Sequence, residues 1–191
     1  MAMPSRTWTS PADYLAAERL ADQKHELING EVYAMSGVSR WHALIVANFV
    51  RRLGNRFEGR NCNVVSSDLR VRIPATDAYL YPDVVVYCGE GQWLDEAFDT
   101  LENPIVVVEV LSPSTDRYDR VDKFRHYRKI ESLQAYIIVA QDSLAVEHHA
   151  RQENGEWLMT EYDQPSQSLV IPSLGLELPL TEIYDHIEMP G

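Results

Sequence analysis

The sequence predicts a mixed α/β fold in which a β-sheet is flanked by helices. Three observations indicate it: short β-branched segments recur between turns, two amphipathic helical patterns interrupt them, and further strand patterns follow. The order of helix, several strands, helix and strand differs from the regular alternation of a doubly wound sheet. The sequence contains neither a glycine-rich phosphate loop nor a dinucleotide fingerprint.

The N-terminal third predicts a short helix, a hairpin and a long helix. A Ser-Pro pair at 10–11 is typical of a helix start. Asn29-Gly30 lies between alternating runs and predicts a hairpin with a type I′ turn, in which Glu26 faces Tyr33. Ser39 caps an amphipathic helix predicted over 40–58.

The remainder predicts strands around a second helix. Strands are expected at 62–66, 69–73, 80–87, 105–111, 135–140, 145–149, 156–162 and 168–171. A second helix over 116–130 follows a capping Ser-Pro-Ser-Thr run, and a short helix over 181–187 closes the chain. We expect one domain, 1–191, with a core of about 39–140 and a β-rich C-terminal extension over 141–191.

Composition indicates a globular protein and excludes some classes. No stretch approaches the roughly 20 apolar residues of a membrane helix, and the start lacks the apolar core of a secretory signal. The two cysteines lie far apart and form neither a disulfide framework nor a metal-binding pair, so a cytoplasmic location is expected. A net charge of −12 argues against non-specific coating of nucleic acid.

The charge is unevenly distributed along the chain. Residues 39–72 carry seven Arg against two acids, whereas 73–109 carry eight acids without Lys or Arg. An acidic site beside a basic strip suits a polyanion that approaches a metal ion, and we expect Arg51, Arg52, Arg70 and Arg72 to contact substrate phosphates. Equally, these arginines could decorate a solvated helix face.

Two carboxylates are embedded in apolar strand segments. Glu109 interrupts the run 105–111, and Asp83 interrupts 81–87, where it is expected to share a face with Tyr81 and Val85. A charge in such a strand is costly to desolvate, and a divalent cation with oxygen ligands neutralises two of them together. Solvent exposure of Glu109 and a turn at Asp83 are the alternatives.

The next helix supplies a cation at a useful spacing. Asp119, Lys123 and Tyr127 recur at i, i+4 and therefore form one stripe. An ammonium beside two carboxylates and a metal ion can orient a water for attack on a phosphodiester. Alternatively, Lys123 simply pairs with Asp119.

These residues together resemble a known group. Tyr-Pro-Asp at 81–83, Val-Glu-Val-Leu-Ser-Pro-Ser-Thr at 108–115, Lys123 and Tyr127 resemble the PD-(D/E)xK nuclease superfamily, and more narrowly its Uma-two branch of restriction-endonuclease-like proteins. The segment 26–31 and His42 fit that branch too, and the resemblance runs from about residue 14 to 140.

The resemblance implies a restriction-endonuclease-like fold, here with an added N-terminal hairpin and C-terminal strands. It also implies that Asp83, Glu109 and the main-chain carbonyl of Val110 ligate Mg²⁺ or Mn²⁺. The superfamily's lysine two positions after the Glu is Leu111 here, and its role moves to Lys123.

Three accessory residues have competing interpretations. Glu26 either completes the acidic cluster or is an ordinary exposed hairpin residue, and the second is slightly favoured. His42 either contacts a phosphate or caps its helix, with the cap favoured. Tyr127 is better explained by packing than by catalysis.

The function expected from these residues is a metal-dependent phosphodiesterase, an endonuclease acting on DNA, with no membrane partner. The alternative is an inactive nuclease fold that binds DNA or protein. We also expect a homodimer, because nucleases that cut both strands often pair two active sites.

Overall fold

The computed structural model describes residues 8–112 and 116–188. The predicted cap over 112–115 therefore lies mostly outside the described residues. The helices and strands are α1 (Pro11–Glu18), β1 (His25–Ile28), β2 (Glu31–Ala34), α2 (Arg40–Arg56), β3 (Cys62–Ser66), β4 (Arg70–Ile73), β5 (Ala78–Leu80), β6 (Val84–Cys88), β7 (Thr100–Leu101), β8 (Val106–Leu111), a π-helical segment (Tyr118–Lys123), α3 (Phe124–Tyr127), β9 (Ala135–Ala140), β10 (Val146–Arg151), β11 (Trp157–Tyr162), β12 (Ser168–Ile171), β13 (Leu176–Pro179) and α4 (Leu180–Ile183).

The strands form two large sheets and a small one. The larger sheet has the order β11-β10-β9-β8-β6-β3, and the second has β2-β1-β5-β4-β7. Pairs β8–β9 and β4–β7 are parallel, while the other pairs are antiparallel. The predicted mixed α/β class, with flanking helices, is confirmed. Strands β10 and β11, from the predicted C-terminal extension, continue the larger sheet.

The central strand β8 is buried on both faces. Val106, Val108 and Val110 point into a core that includes α2 and the C-terminal hairpin β12–β13. Val107 and Leu111 point into a second core against the smaller sheet and α3. Full burial of each such side chain stabilises by about 1.5–3 kcal/mol. Glu109 alternates onto the second face, and it is therefore enclosed by protein.

The predicted hairpin and long helix are confirmed. Asn29 and Gly30 have φ of 51° and 76°, as a type I′ turn requires, and Glu26 faces Tyr33 across the hairpin. Ser39 caps α2 by accepting a hydrogen bond from the main-chain N–H of His42.

Two predicted elements are corrected by the structure. The single strand predicted over 80–87 is two strands in different sheets, β5 and β6, separated by Tyr81, Pro82 and Asp83. Pro82 has no N–H to continue a ladder, so the chain crosses between sheets here. Asp83 therefore does not share a strand face with Tyr81 and Val85. The second helix ends at Tyr127 and contains the π-helical segment.

The two cysteines also depart from expectation. Cys62 and Cys88 are opposed across the antiparallel pair β3–β6 and form a disulfide. Sequence separation concealed this pairing because register, and not spacing, brings the two residues together. The cytoplasmic location was expected partly because the two cysteines were expected to be unpaired, and the disulfide removes that support. Throughout the described ranges, every helix is too short or too polar to traverse a membrane.

Candidate active site

A cavity of about 400 Å³ opens at the end of β8. Its walls come from β1, the segment between β2 and α2, the first turn of α2, and the π-helical segment. The polar lining residues are Glu26, Ser36, Ser39, His42, Asp83, Glu109, Ser112, Asp119, Lys123 and Gln141. Strand pairing explains part of the convergence: β5 pairs with β1, the chain then crosses through Tyr81, Pro82 and Asp83 to β6, and β6 pairs with β8.

Lys123 lies at the centre of this polar cluster. Its Nζ is 3.2 Å from Glu109 Oε1, 3.2 Å from Glu26 Oε1 and 3.4 Å from Asp119 Oδ1. Glu109 is 2% exposed and Lys123 6% exposed. The alternative of a solvent-facing Glu109 is therefore wrong. Pairing of Lys123 with Asp119 is present, but as one contact of three.

Asp83 is held in place by two hydrogen bonds. Its Oδ2 accepts from the main-chain N–H of Val110 at 2.7 Å, and its Oδ1 lies 2.9 Å from His42 Nε2. Because Asp83 is outside any ladder, its side chain can reach β8. Ser39, and not His42, caps α2, and contact of the cavity-lining His42 with a phosphate stays a prediction. The observed contact of His42 is with Asp83, which it orients.

Glu26 is a buried member of the cluster, which corrects the favoured interpretation of an exposed hairpin residue. It is 5% exposed. Its Oε1 accepts a hydrogen bond from the main-chain N–H of Tyr81 at 3.1 Å, and its Oε2 accepts one from the Tyr118 hydroxyl at 3.2 Å. Register places it here, since β1 is an inner strand of the smaller sheet between β2 and β5.

Burial and the excess of acids control the protonation of this cluster. Burial alone lowers the pKa of Lys123, but Glu109, Glu26 and Asp119 outweigh it and raise that pKa well above its usual value. Burial raises the pKa of Glu109 well above its usual value; Lys123 opposes this, and Asp119, Asp83 and Glu26 add to it. Lys123 is therefore held as an ammonium, and Glu109 gives up its proton less readily than an ordinary carboxyl group.

The donor set fits a hard divalent cation in its chemistry. Glu26, Asp83, Glu109 and Asp119 line the cavity together with one lysine, so the four acids exceed the lysine by three formal negative charges. Among residues 8–112 and 116–188, no three His, Cys, Asp or Glu side chains form a ready-made metal cage. Mg²⁺ does not require one, because it is usually held by one or two carboxylates, waters and substrate phosphates.

Two of the predicted phosphate-binding arginines are paired with the C-terminal region. The Nη2 atoms of Arg51 and Arg52 lie 2.9 and 3.0 Å from Asp185 Oδ2. Arg52 also approaches Glu182. Neither arginine lines the cavity.

The other two arginines belong to the smaller sheet. Arg70 is 2% exposed and contacts Asp99 and the Tyr81 hydroxyl, while Arg72 pairs with Asp77 and Glu102. The structure does not bring these side chains to the cavity. Their contact with substrate phosphates stays a prediction.

Sequence reasoning overlooked some members of the site. Tyr118 and Tyr81 both bind Glu26, and no sequence pattern announces those hydrogen bonds. Asp119 carried a signal, the i, i+4 spacing to Lys123. Tyr127, by contrast, is fully buried in the second core, in agreement with the favoured packing role.

The buried carboxylate–lysine cluster thus lies at the end of β8, an inner strand of a mixed sheet flanked by helices. Comparison with known proteins identifies the family: a family model named Uma2, described as "Putative restriction endonuclease", matches residues 11–181. The chain belongs to this family.

Two protein relatives and one solved structure are similar to this chain over most of its length. The chain is 38% identical over 175 residues to the uncharacterized protein slr1290 of Synechocystis sp., covering 92% of this chain and 90% of the relative. It is 35% identical over 150 residues to sll1609 of the same organism, covering 78% and 85%. A crystal structure from Anabaena variabilis, titled as "a putative nuclease belonging to DUF820", superposes with a TM-score of 0.75 at 18% identity, covering 92% of this chain and 97% of that one. That structure confirms the restriction-endonuclease-like fold.

Proposed function

We propose that this protein is a metal-dependent phosphodiesterase, an endonuclease that cleaves DNA. The observation that carries the proposal is the buried Lys123 ammonium, 3.2 Å from Glu109, in a cavity that Asp83 also lines. Membership of a family described in terms of restriction endonucleases supports the same reaction class.

In this proposal, Asp83, Glu109 and the main-chain carbonyl of Val110 hold Mg²⁺ or Mn²⁺. When bound, the ion lowers the pKa of a water and offsets the negative charge of the scissile phosphate. Asp83 is prepared for this role because His42 and the Val110 N–H fix both of its oxygens. Each oxygen keeps a further lone pair for an ion.

Lys123 acts as an ammonium in this mechanism. Its raised pKa disfavours a role as a general base near neutral pH. It therefore orients the attacking water by donating a hydrogen bond and stabilises charge that develops on the phosphate. Glu26 and Asp119 hold the ammonium in that position, at 3.2 and 3.4 Å.

A second candidate is an inactive nuclease fold that binds DNA or protein. The observation that favours it is the position of Lys123 Nζ between Glu26, Glu109 and Asp119. There the ammonium already offsets the negative charge that would otherwise attract a metal ion. The cytoplasmic location and homodimeric state expected from the sequence remain part of the first proposal.

Cleavage of supercoiled plasmid and single-stranded DNA distinguishes these candidates. We expect wild-type protein to cleave with Mn²⁺ or Mg²⁺ and not with EDTA, and Asp83→Asn to lose at least about 100-fold of the rate, since it removes a charged ligand. Asp122→Asn is the matched control, because Asp122 is exposed and adjacent to Lys123. Equal activity in all three proteins would refute the assignment, and inactivity of all three would favour the binding protein.

A further inference from the structure

The cavity limits what form of nucleic acid can reach the cluster. Glu109 and Asp83 are only 2% and 8% exposed, so a phosphodiester must enter the cavity to meet them. A volume of about 400 Å³ is near the lower end of the range for small-ligand pockets, and it suits about one nucleotide unit. Drawing a nucleotide out of an intact duplex costs a few kcal/mol of pairing and stacking, which a single strand largely avoids.

Two arginines without acidic partners in the described part of the chain are sequence neighbours of residues that line the cavity. Arg40 lies between the lining residues Ser39 and His42, and Arg117 immediately precedes the lining residue Tyr118. Both arginines are exposed, and neither has an ion-pair partner among the described residues. The arginines that were expected to bind phosphate are, in contrast, neutralised by acids.

Aromatic rings accompany these cations. The Arg40 guanidinium lies 4.7 Å from the ring centroid of Trp41, and Tyr33 lines the cavity while remaining 44% exposed. Aromatic rings beside cations are the usual means by which proteins hold single strands, because bases stack on the rings and phosphates contact the cations. On a chain with a net charge of −12, cations without acidic partners near the cavity reduce the repulsion of a polyanion.

We propose that the site takes single-stranded nucleic acid, with Arg40 and Arg117 on the phosphates and Trp41 and Tyr33 on the bases. This inference rests on the proposed function for its reaction, but not for its binding step. It names the form of the substrate and assigns phosphate contacts to residues that sequence reasoning did not select.

Binding is measured with a fluorescein-labelled single strand and with the same strand annealed to its complement, in a Ca²⁺ buffer. We expect the single strand to bind at least about tenfold more tightly, since the duplex must be opened. In Arg40→Gln/Arg117→Gln, the slope of log affinity against log salt should fall in magnitude by about 1.4, because each single-strand phosphate contact contributes about 0.7. Arg128→Gln, at an exposed arginine five positions beyond Lys123, should leave the slope unchanged.

The outcomes separate this inference from the proposed function. Equal or tighter binding of the duplex, or equal salt slopes in the double variant and the Arg128→Gln control, would overturn the inference. Cleavage in Mn²⁺ is followed in parallel on both substrates. Faster cleavage of the duplex would overturn the inference and preserve the function, whereas single-strand preference in binding without any cleavage would preserve the inference and refute the function.

Discussion

Replacing Lys123 by Met tests the electrostatic structure of the site. The change keeps the length of the side chain but leaves Glu26, Glu109 and Asp119 without the ammonium that lies within 3.4 Å of each. Removing one partner of a buried ion pair costs about 3–5 kcal/mol. For a chain of 191 residues, each kcal/mol lowers Tm by about 2–4 °C, so we expect a drop of about 6–20 °C in EDTA.

Calorimetry in EDTA and then in Mg²⁺ measures this effect. Because the variant cluster has gained a net negative charge, Mg²⁺ at about 100 times its Kd should restore about 2.7 kcal/mol. Lys129→Met is the control, since Lys129 is an exposed lysine of the same region. Its free energy of unfolding should change by about 0.5 kcal/mol at most. A Lys123→Met protein as stable as this control would refute the reasoning.

Three other predictions concern the site and its support. Mn²⁺ affinity of the wild type should rise with pH as Glu109 loses its proton, because the proton and the metal ion compete for the same carboxyl group. The rise should fall above the ordinary carboxyl pKa of 4.5, since the pKa of Glu109 is raised. A flat profile of affinity against pH in calorimetric titrations would contradict this. His42→Ala should weaken Mn²⁺ binding by about 10–100-fold, since Asp83 loses the group that orients it, and unchanged affinity would argue against that role. Tyr184→Phe should cost about 1–3 kcal/mol in urea unfolding, because the buried hydroxyl donates to the main-chain carbonyl of Ala140 or Ala145 and accepts from the main-chain N–H of Ala145. Wild-type stability of the variant would show that those bonds are unimportant.

Local patterns in the sequence predicted most of the elements. Asn29-Gly30 specified the hairpin and its register, and Ser39 specified the start of α2, because turn and cap chemistry depends on neighbouring residues alone. The alternation of β8 likewise separated Glu109 from the valines of the opposite face. Such features require no knowledge of distant contacts.

Features that depend on distant contacts were harder to predict. The burial of Glu26 results from the pairing of β1 with β5, and the disulfide from the register of β3 and β6. The arginines of α2 looked available in the sequence, but the C-terminal Asp185 folds back onto them. The π-helical segment carrying Lys123 has no signal in local propensity, although such segments are frequent at functional sites.

The most direct test of the account compares wild type with Glu109→Gln, which keeps the side chain's shape and removes its charge. Mn²⁺ is titrated calorimetrically into both proteins, and cleavage of single-stranded DNA is measured in the same preparations. We expect wild type to bind Mn²⁺ and to cleave, and the variant, still folded, to do neither. Equal Mn²⁺ binding and equal cleavage by the two proteins would contradict it.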